Sequence, residues 1–515
     1  MPQVNHFDVI IIGTGAGGGT LAYTLAPLGK RILLLEQGGY LPREKDNWDT
    51  HAVFLEKKYK SQETWYDETG KSHRSPTNYC VGGNTKFYGS TLMRFRTADF
   101  GKNIHYDGIS PAWPLSYADF EPYYTEAEYL YHVHGQRGID PTEPPATAPY
   151  RYPMVNHEPR IQQLFDDFCQ LGYQPFPLPL GIMLDEADLQ NSNCIRCNTC
   201  GGFPCLLEAK ADAHTVCIRP ALKNPNVKLI THARVQRLET SASGREVSKI
   251  CVERNGILEE YSADIIVVAC GAINSAALLL RSLNDKHPHG LANGSGVVGR
   301  HYMRHTNSSF IAISLEPNPT VFQKTFGLND FYFGTEDWKY PMGNIQLLGK
   351  STPELLAAEL LPSAPEITKD TIAKNGIDFC LISEDLPDPD NRVTLNSKGE
   401  ITLRYTSNNL SAHKHLINKF EEMLSQLGCA DYLLPSSLYV GNNVSIAGIN
   451  HQCGTIRFGE DPQNSSLDIN CKAHELDNLY VVDGSFFVSS AAVNPALTII
   501  ANALRVGNHL KERLR

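Results

Sequence analysis

The sequence has no apolar run long enough to cross a bilayer, no basic stretch ahead of its first apolar segment and no polybasic tract. A spanning helix needs about 20 consecutive apolar residues, so a membrane span is not expected. The first apolar run, Val9-Ile10-Ile11-Ile12, is short and ends in glycines, which does not fit a secretory signal. The chain is therefore expected in the cytoplasm. Basic residues are the minority: 46 Lys and Arg stand against 56 Asp and Glu, a formal net charge of −10. Phosphate backbones demand a basic face and anionic membranes attract polybasic segments, so neither nucleic acid nor an anionic lipid surface is an expected partner. Internal repeats and low-complexity tracts are also missing, which argues against a repeat architecture.

What is present is the composition of a soluble globular protein, 42% apolar and 20% charged over 515 residues. That length exceeds one ordinary core, and two domains interleaved along the chain are expected. Asp8–Ile12 reads as a strand buried on both faces. A glycine-rich turn follows, then a helix over Thr20–Leu28 ended by Gly29, then a second strand over Arg31–Glu36; this is a βαβ unit. The stretch from Ser110 to Pro220 reads as insertion and loop around a helix over Tyr117–Tyr131, and Asp140–Pro153 alone carries five prolines. Strand character returns at Val227–Ile230, Ala233–Leu238, Val247–Glu253, Asp264–Cys270, Ser308–Leu315, Asp378–Ser383 and Arg392–Leu395, with turn signals at Asp388-Pro389-Asp390-Asn391 and Lys398-Gly399. This middle part is expected to be antiparallel sheet. The spacing of Leu416, Ile417, Phe420, Met423, Leu424 and Leu427 predicts an amphipathic helix that Gly428 stops.

Gly13-Thr14-Gly15-Ala16-Gly17-Gly18 fits G-x-G-x-x-G. By itself such a motif is weak, since a glycine-rich turn with no ligand matches it equally well. Its place between a buried strand and a helix start adds weight. The first glycine allows the tight turn, the second lets the backbone approach a pyrophosphate, and the third lets helix and strand pack closely. The helix N-terminus then offers unpaired N–H groups to the phosphates. Glu36, eighteen residues past Gly18, closes the second strand. A carboxylate there accepts from ribose hydroxyls and repels a 2′-phosphate, so NADP is disfavoured. The fingerprint does not separate FAD from NAD.

Further segments do. A second glycine-rich loop stands at Val81-Gly82-Gly83-Asn84-Thr85-Lys86-Phe87-Tyr88-Gly89-Ser90. Near the C-terminus come His451-Gln452-Cys453-Gly454-Thr455, then Asn478-Leu479-Tyr480-Val481-Val482-Asp483-Gly484-Ser485, then Asn494-Pro495-Ala496-Leu497-Thr498. With Cys270-Gly271-Ala272-Ile273-Asn274-Ser275, Val297-Val298-Gly299-Arg300 and Pro387–Leu395, this ordered set resembles the glucose–methanol–choline (GMC) flavoproteins over nearly the whole chain. The resemblance implies an α/β fold: a Rossmann-like FAD domain drawn from residues 1–110, 215–305 and 450–515, an insertion over 111–214 with the cysteine-rich segment, and an α+β substrate domain on an antiparallel sheet over 306–449. It further implies that Gly13, Gly15 and Gly18 meet the pyrophosphate and Glu36 the adenosine ribose. Gly82, Gly83 and Asn84 would lie near the diphosphate and ribityl chain, Val235 would contact adenine through its backbone, and Asp483 would bind the ribityl–phosphate region. Some members attach FAD through a histidine where this chain has Phe87, so non-covalent FAD is expected.

Alcohol oxidation by hydride transfer needs the hydroxyl proton removed as the hydride leaves, a task for a neutral imidazole. The resemblance assigns it to His451, with Asn494 positioning the substrate oxygen and flavin N5 taking the hydride. A lone histidine is more often structural, and Asn-Pro often starts a helix; the motifs around His451 and Asn494 single them out. The expected substrate is a small alcohol, sugar or polyol, and the electron acceptor is oxygen, a quinone or a redox protein. The alternative is a lyase of the hydroxynitrile type, which keeps FAD with no net redox chemistry and suits the same pair; a non-enzymatic FAD-binding protein is another.

Thirteen cysteines in a chain with no export signal argue against a disulfide framework. Four of them, Cys194, Cys197, Cys200 and Cys205, fall within twelve residues, and Cys217 follows. Thiolates so spaced suit one metal or cluster. Some family members carry an iron–sulfur cluster in this region, and the resemblance assigns Cys194, Cys200, Cys205 and Cys217 to it; zinc, a disulfide or free thiols are the alternatives.

Overall fold

The structure is a computed structural model and describes residues 5–314, 316–357, 366–427, 433–435 and 451–515. Strand β1 (Asn5–Ile12) holds four consecutive apolar residues, Val9 to Ile12, at 4% exposure or less. Such a run belongs in a sheet covered on both faces. Helix α1 (Ala16–Leu25) follows, a 3-10 turn over Ala26–Leu28 extends it, and Gly29 in the left-handed conformation ends it. The helix starts four residues before the expected Thr20. Its first turn is made of the motif glycines themselves, because only they allow the backbone to pass so close to its neighbours.

Strand β2 (Ile32–Leu35) pairs parallel with β1, and β3 (Val227–Ile230) pairs parallel with β2. Strands β4 (Ala233–Thr240), β5 (Val247–Arg254) and β6 (Ile257–Val268) form an antiparallel meander, and β6 returns to pair parallel with β1 through Tyr261–Val268. The strand Leu479–Val481 adds parallel to β6, completing a seven-stranded sheet ordered β3-β2-β1-β6-β5-β4. The expectation that the strands from residue 227 onward form one antiparallel sheet is corrected here: β3 is parallel and the meander belongs to the nucleotide-type sheet. The C-terminal helix Ala496–Arg513 packs on both α1 and helix Tyr117–Leu130.

The antiparallel sheet does exist further along. Strands β7 (Thr306–Ile313), β8 (Phe326–Leu328), β9 (Asn344–Leu347) and β10 (Gly376–Ser383) join Pro175–Pro177 and Leu433–Pro435 in six strands, all pairs antiparallel. Helix Leu410–Gln426 covers it, burying Leu416, Phe420, Met423 and Leu424 against Phe310 and Phe379; its predicted stop at Gly428 lies outside the described residues. Ile161, Leu164 and Phe168 of helix Pro159–Gln170 enter the same core, so the segment read as loop contributes packing. Arg392–Leu395 belongs to a separate four-stranded sheet with Ile401–Arg404, Thr64–Asp67 and Ser72–Arg74. Among the described residues no helix is long and apolar enough to cross a membrane.

Candidate active site

β1, β2 and β6 run parallel and end at one cavity of ≈ 450 Å³. Open parallel sheets bind ligands at the carboxyl ends of their strands. Gly13, Gly15, Glu36, Gly83, Asn84, Val235, Asp483, His451 and Asn494 all line it. Gly18 and Gly82 stand behind the wall: a Cβ on Gly18 would lie 2.1 Å from the Gly13 carbonyl oxygen, and one on Gly82 would lie 2.9 Å from His214 Cβ.

The nucleotide end is backbone. Gly13 has φ +98, and a Cβ on Gly17 would sit 2.1 Å from the carbonyl oxygen of Val482. Gly15 instead faces open space, with nothing within 4 Å of a Cβ placed there. α1 begins beside it with no side-chain cap and no acidic residue in its first turn, leaving its orphan N–H groups for an anion. Glu36 is buried. Its Oε2 accepts from Thr14 Oγ1 at 2.6 Å and Thr14 N at 3.1 Å, and its Oε1 from Gly38 N at 3.0 Å. Burial raises its pKa, and these donors oppose the rise. Thr14 Oγ1 also accepts from Gly82 N at 3.1 Å, so Thr14 ties the two glycine-rich loops together. A built cradle of this kind fits a dinucleotide. Asp483 accepts from Gly271 N and Ser485 N, both at 2.9 Å, and from the hydroxyls of Ser275 and Ser485, an arrangement that clamps two turns of the cavity wall.

The reacting end is side chains. Asn494 precedes the C-terminal helix, and its Nδ2 lies 3.4 Å from His451 Nε2. That is long for a hydrogen bond. Asn494 Oδ1 is buried without a partner, although buried polar groups are nearly always satisfied. Burial pushes the His451 pKa down to about 3, with His305 beside it adding to the shift. His451 is therefore a neutral imidazole with its ring nitrogen at the cavity. Phe87 is buried in the same wall, which half-buried Leu348, Gly201 and Gly202 also line. The substrate side was expected from residues 306–449; of these, 315, 358–365, 428–432 and 436–449 lie outside the described residues. His305, buried against His451 with Nδ1–Nδ1 at 3.0 Å, carried no local sequence signal.

The expected metal or iron–sulfur set finds no support in the structure. Among the described residues no three His, Cys, Asp or Glu side chains are grouped to hold a metal ion. Cys217 is buried against α1, its Sγ donating to Tyr131 OH at 3.4 Å and lying 3.8 Å from Thr20 Oγ1. Cys205 Sγ accepts from Ala209 N at 3.4 Å. Cys194 is buried and Cys200 half-buried; Lys210 holds their loop by donating to the carbonyls of Cys200 and Phe203 at 2.7 and 2.8 Å.

Profiles described as GMC oxidoreductase match residues 179–307 and 387–503. The 6'''-hydroxyparomomycin C oxidase of Streptomyces lividus is 30% identical to the chain over 99% of its length and 92% of the relative's. The chain belongs to the GMC oxidoreductase family. Paromamine 6'-oxidase of Streptomyces fradiae is likewise 30% identical, covering 97% of the chain and 90% of the relative. The fold matches that of pyridoxine 4-oxidase from Mesorbium loti, with a TM-score of 0.62 at 17% identity, covering 98% of this chain and 99% of that one. This GMC oxidoreductase is an FAD flavoprotein that acts on the CH–OH group of an alcohol or sugar. The cradle from Gly13 to Glu36 is consistent with that cofactor.

Proposed function

We propose that this enzyme oxidises the hydroxyl-bearing carbon of a sugar, polyol or other small alcohol, with His451 as base and Asn494 holding the substrate oxygen. The observation that carries the reading is the polar pair at the reacting end, in one cavity wall: His451 Nε2, whose contact with Asn494 Nδ2 is a long 3.4 Å, and Asn494 Oδ1, which has no partner. The substrate O–H donates to His451 Nε2, and its oxygen accepts from Asn494 Nδ2. As the carbonyl forms, the hydroxyl proton passes to Nε2 and the carbon's hydrogen leaves with its electron pair. Bound FAD supplies the acceptor for that hydride, at N5. Neutral His451 suits the role because a charged imidazolium could not take the proton.

Gly13, Gly15, Glu36, Gly83, Asn84 and Val235 would hold the cofactor, with Gly18, Gly82 and Asp483 shaping the turns that present them. Phe87 has no nucleophilic atom, so the flavin is held non-covalently. The lyase alternative is disfavoured because both relatives named above are oxidases. Those names also favour oxygen over a quinone or redox protein as final acceptor.

The test is anaerobic mixing of holoenzyme with sugars and alcohols. The flavin absorbance should bleach with at least one of them, and His451→Ala should slow bleaching by about 10²- to 10⁴-fold while keeping its flavin. A flavin that never bleaches would sink the reading, as would bleaching at an unchanged rate in the variant. Trichloroacetic acid should release the flavin into the supernatant, and oxygen uptake identifies the acceptor.

A further inference from the structure

We propose that His305 is the positioning residue that holds the proton of His451 on Nδ1 and so keeps Nε2 bare for the substrate. The proposal rests on the reading of His451 as base. The two histidines are 146 residues apart in sequence, yet their Nδ1 atoms lie 3.0 Å apart and their rings meet nearly at right angles, 5.0 Å between centroids. The juxtaposition is built into the backbone. Met303 and Cys453 exchange both N–H···O bonds, each at 3.0 Å, as an antiparallel pair. Two residues further along the same register, His305 and His451 stand opposite one another, as cross-strand neighbours do.

Counting protons fixes the direction of the chain. His305 Nε2 lies 3.1 Å from the carbonyl oxygen of Ser490. A carbonyl only accepts, so this nitrogen carries the hydrogen. A neutral imidazole has one N–H, which leaves His305 Nδ1 as an acceptor. The 3.0 Å contact then requires His451 to donate from its own Nδ1, and His451 Nε2 keeps its lone pair. Asn494 Nδ2, a donor, faces that lone pair. The three contacts from the Ser490 carbonyl through the two histidines to Asn494 agree with this one assignment.

Two further observations support it. Burial lowers the pKa of His305 and of His451, so neither ring carries the extra proton that would scramble the assignment. The nearby carboxylate, Glu384, is committed elsewhere. It accepts from Ser110 Oγ at 2.7 Å and Ala491 N at 3.3 Å, and it pairs with His105 Nε2 at 3.0 Å. The orienting group for His451 is thus a neutral imidazole keyed by a carbonyl, where the familiar arrangement uses a carboxylate.

Three measurements on FAD-loaded enzyme test this. In wild-type enzyme carrying ¹⁵N-labelled histidine, the His451 signals, assigned by their loss in His451→Gln, should report a protonated Nδ1 and a bare Nε2. His305→Ala should lower kcat by about 100-fold or more with flavin content unchanged, as removal of an orienting partner does. His305→Asn, whose side-chain oxygen reaches the Nδ1 position and accepts there, should recover most of that loss, whereas His305→Gln, too long to accept at that point, should not. A proton on Nε2 of His451 in the wild type would overturn the proposal, as would His305→Ala with near-normal turnover. A loss equal in the Ala, Asn and Gln variants would assign His305 a packing role and overturn it too. Failure of the base reading itself shows separately, as unchanged turnover in His451→Ala.

Discussion

At the nucleotide end of the cavity, the groups that shape the site are backbone atoms of residues 12–36 and 82–84, held by glycines and by one threonine–glutamate bond. At the reacting end they are side chains: His451, Asn494 and, behind them, His305, brought from three distant segments. In the proposed reading the first end would recognise phosphate and ribose, which many proteins must bind in the same geometry, and two short stretches of chain carry it. In the proposed reaction the second would place a lone pair and a donor beside a particular C–H bond, and it is assembled from segments that meet only in the folded chain. Errors at the two ends should therefore look different. Backbone errors cost cofactor and fold; side-chain errors cost turnover in an enzyme that keeps its colour.

The sharpest way to break that contrast is Gly17→Ala. The new Cβ would press on the Val482 carbonyl at 2.1 Å, and overpacking of this sort costs about 1–3 kcal/mol or more. The variant should lose most of its flavin and melt earlier, measured by the flavin-to-protein absorbance ratio and by calorimetry. A variant with full flavin and an unchanged melting point would show that the turn is looser than the structure says. Thr14→Val should come next. It removes the 2.6 Å bond to Glu36 and the acceptor for Gly82 N. Leaving buried partners unpaired costs about 1–3 kcal/mol, so FAD should dissociate about tenfold more readily, with kcat of the loaded enzyme unchanged. A fall in kcat at full flavin occupancy would dissolve the division of labour between the two ends.

The smallest effect sharpens the reacting end. His451 titrates near 3 because it is buried, so its neutral form persists on acidification. On the acid side kcat/KM should stay level through the ordinary imidazole range near 6.5. An acid limb centred there would place His451 in water and remove the argument for a buried base. Stability has the matching sign. The unfolded chain binds the proton near 6.5 and the folded one only near 3, so acidification through that window favours unfolding. Thermal midpoints measured across it should fall as pH falls.

The expectations drawn from residues met the structure unevenly, and the pattern follows the same division. Asp8–Ile12 and Arg392–Leu395 were legible because continuous or alternating apolar residues report burial locally. The start of α1 was not, since glycines that read as a turn become helix when Val482 and Gly13 press against them. β3 was legible as a strand and illegible as a parallel one, because its partner β2 lies about 190 residues earlier and strand direction is decided by the connection between them. The surroundings of Cys217 were illegible for a related reason: the spacing of the cysteines suited a cluster, and only the fold shows Cys217 packed on α1 with its thiol donating to Tyr131.

By itself, then, the sequence determined what neighbouring residues decide among themselves: a strand, a glycine turn, a helix after it and an acid at a fixed distance, which together imply a dinucleotide. It also carried, in the motifs around His451 and Asn494, the outline of a flavin-dependent alcohol oxidation. Only the tertiary structure decided that the Cys217 thiol turns to Tyr131, that Asn494 Oδ1 is buried without a partner and that His305 meets His451. Those outcomes depend on which distant segments share a core. Hydrophobic burial drives that choice without direction or sequence range, and no local pattern records it.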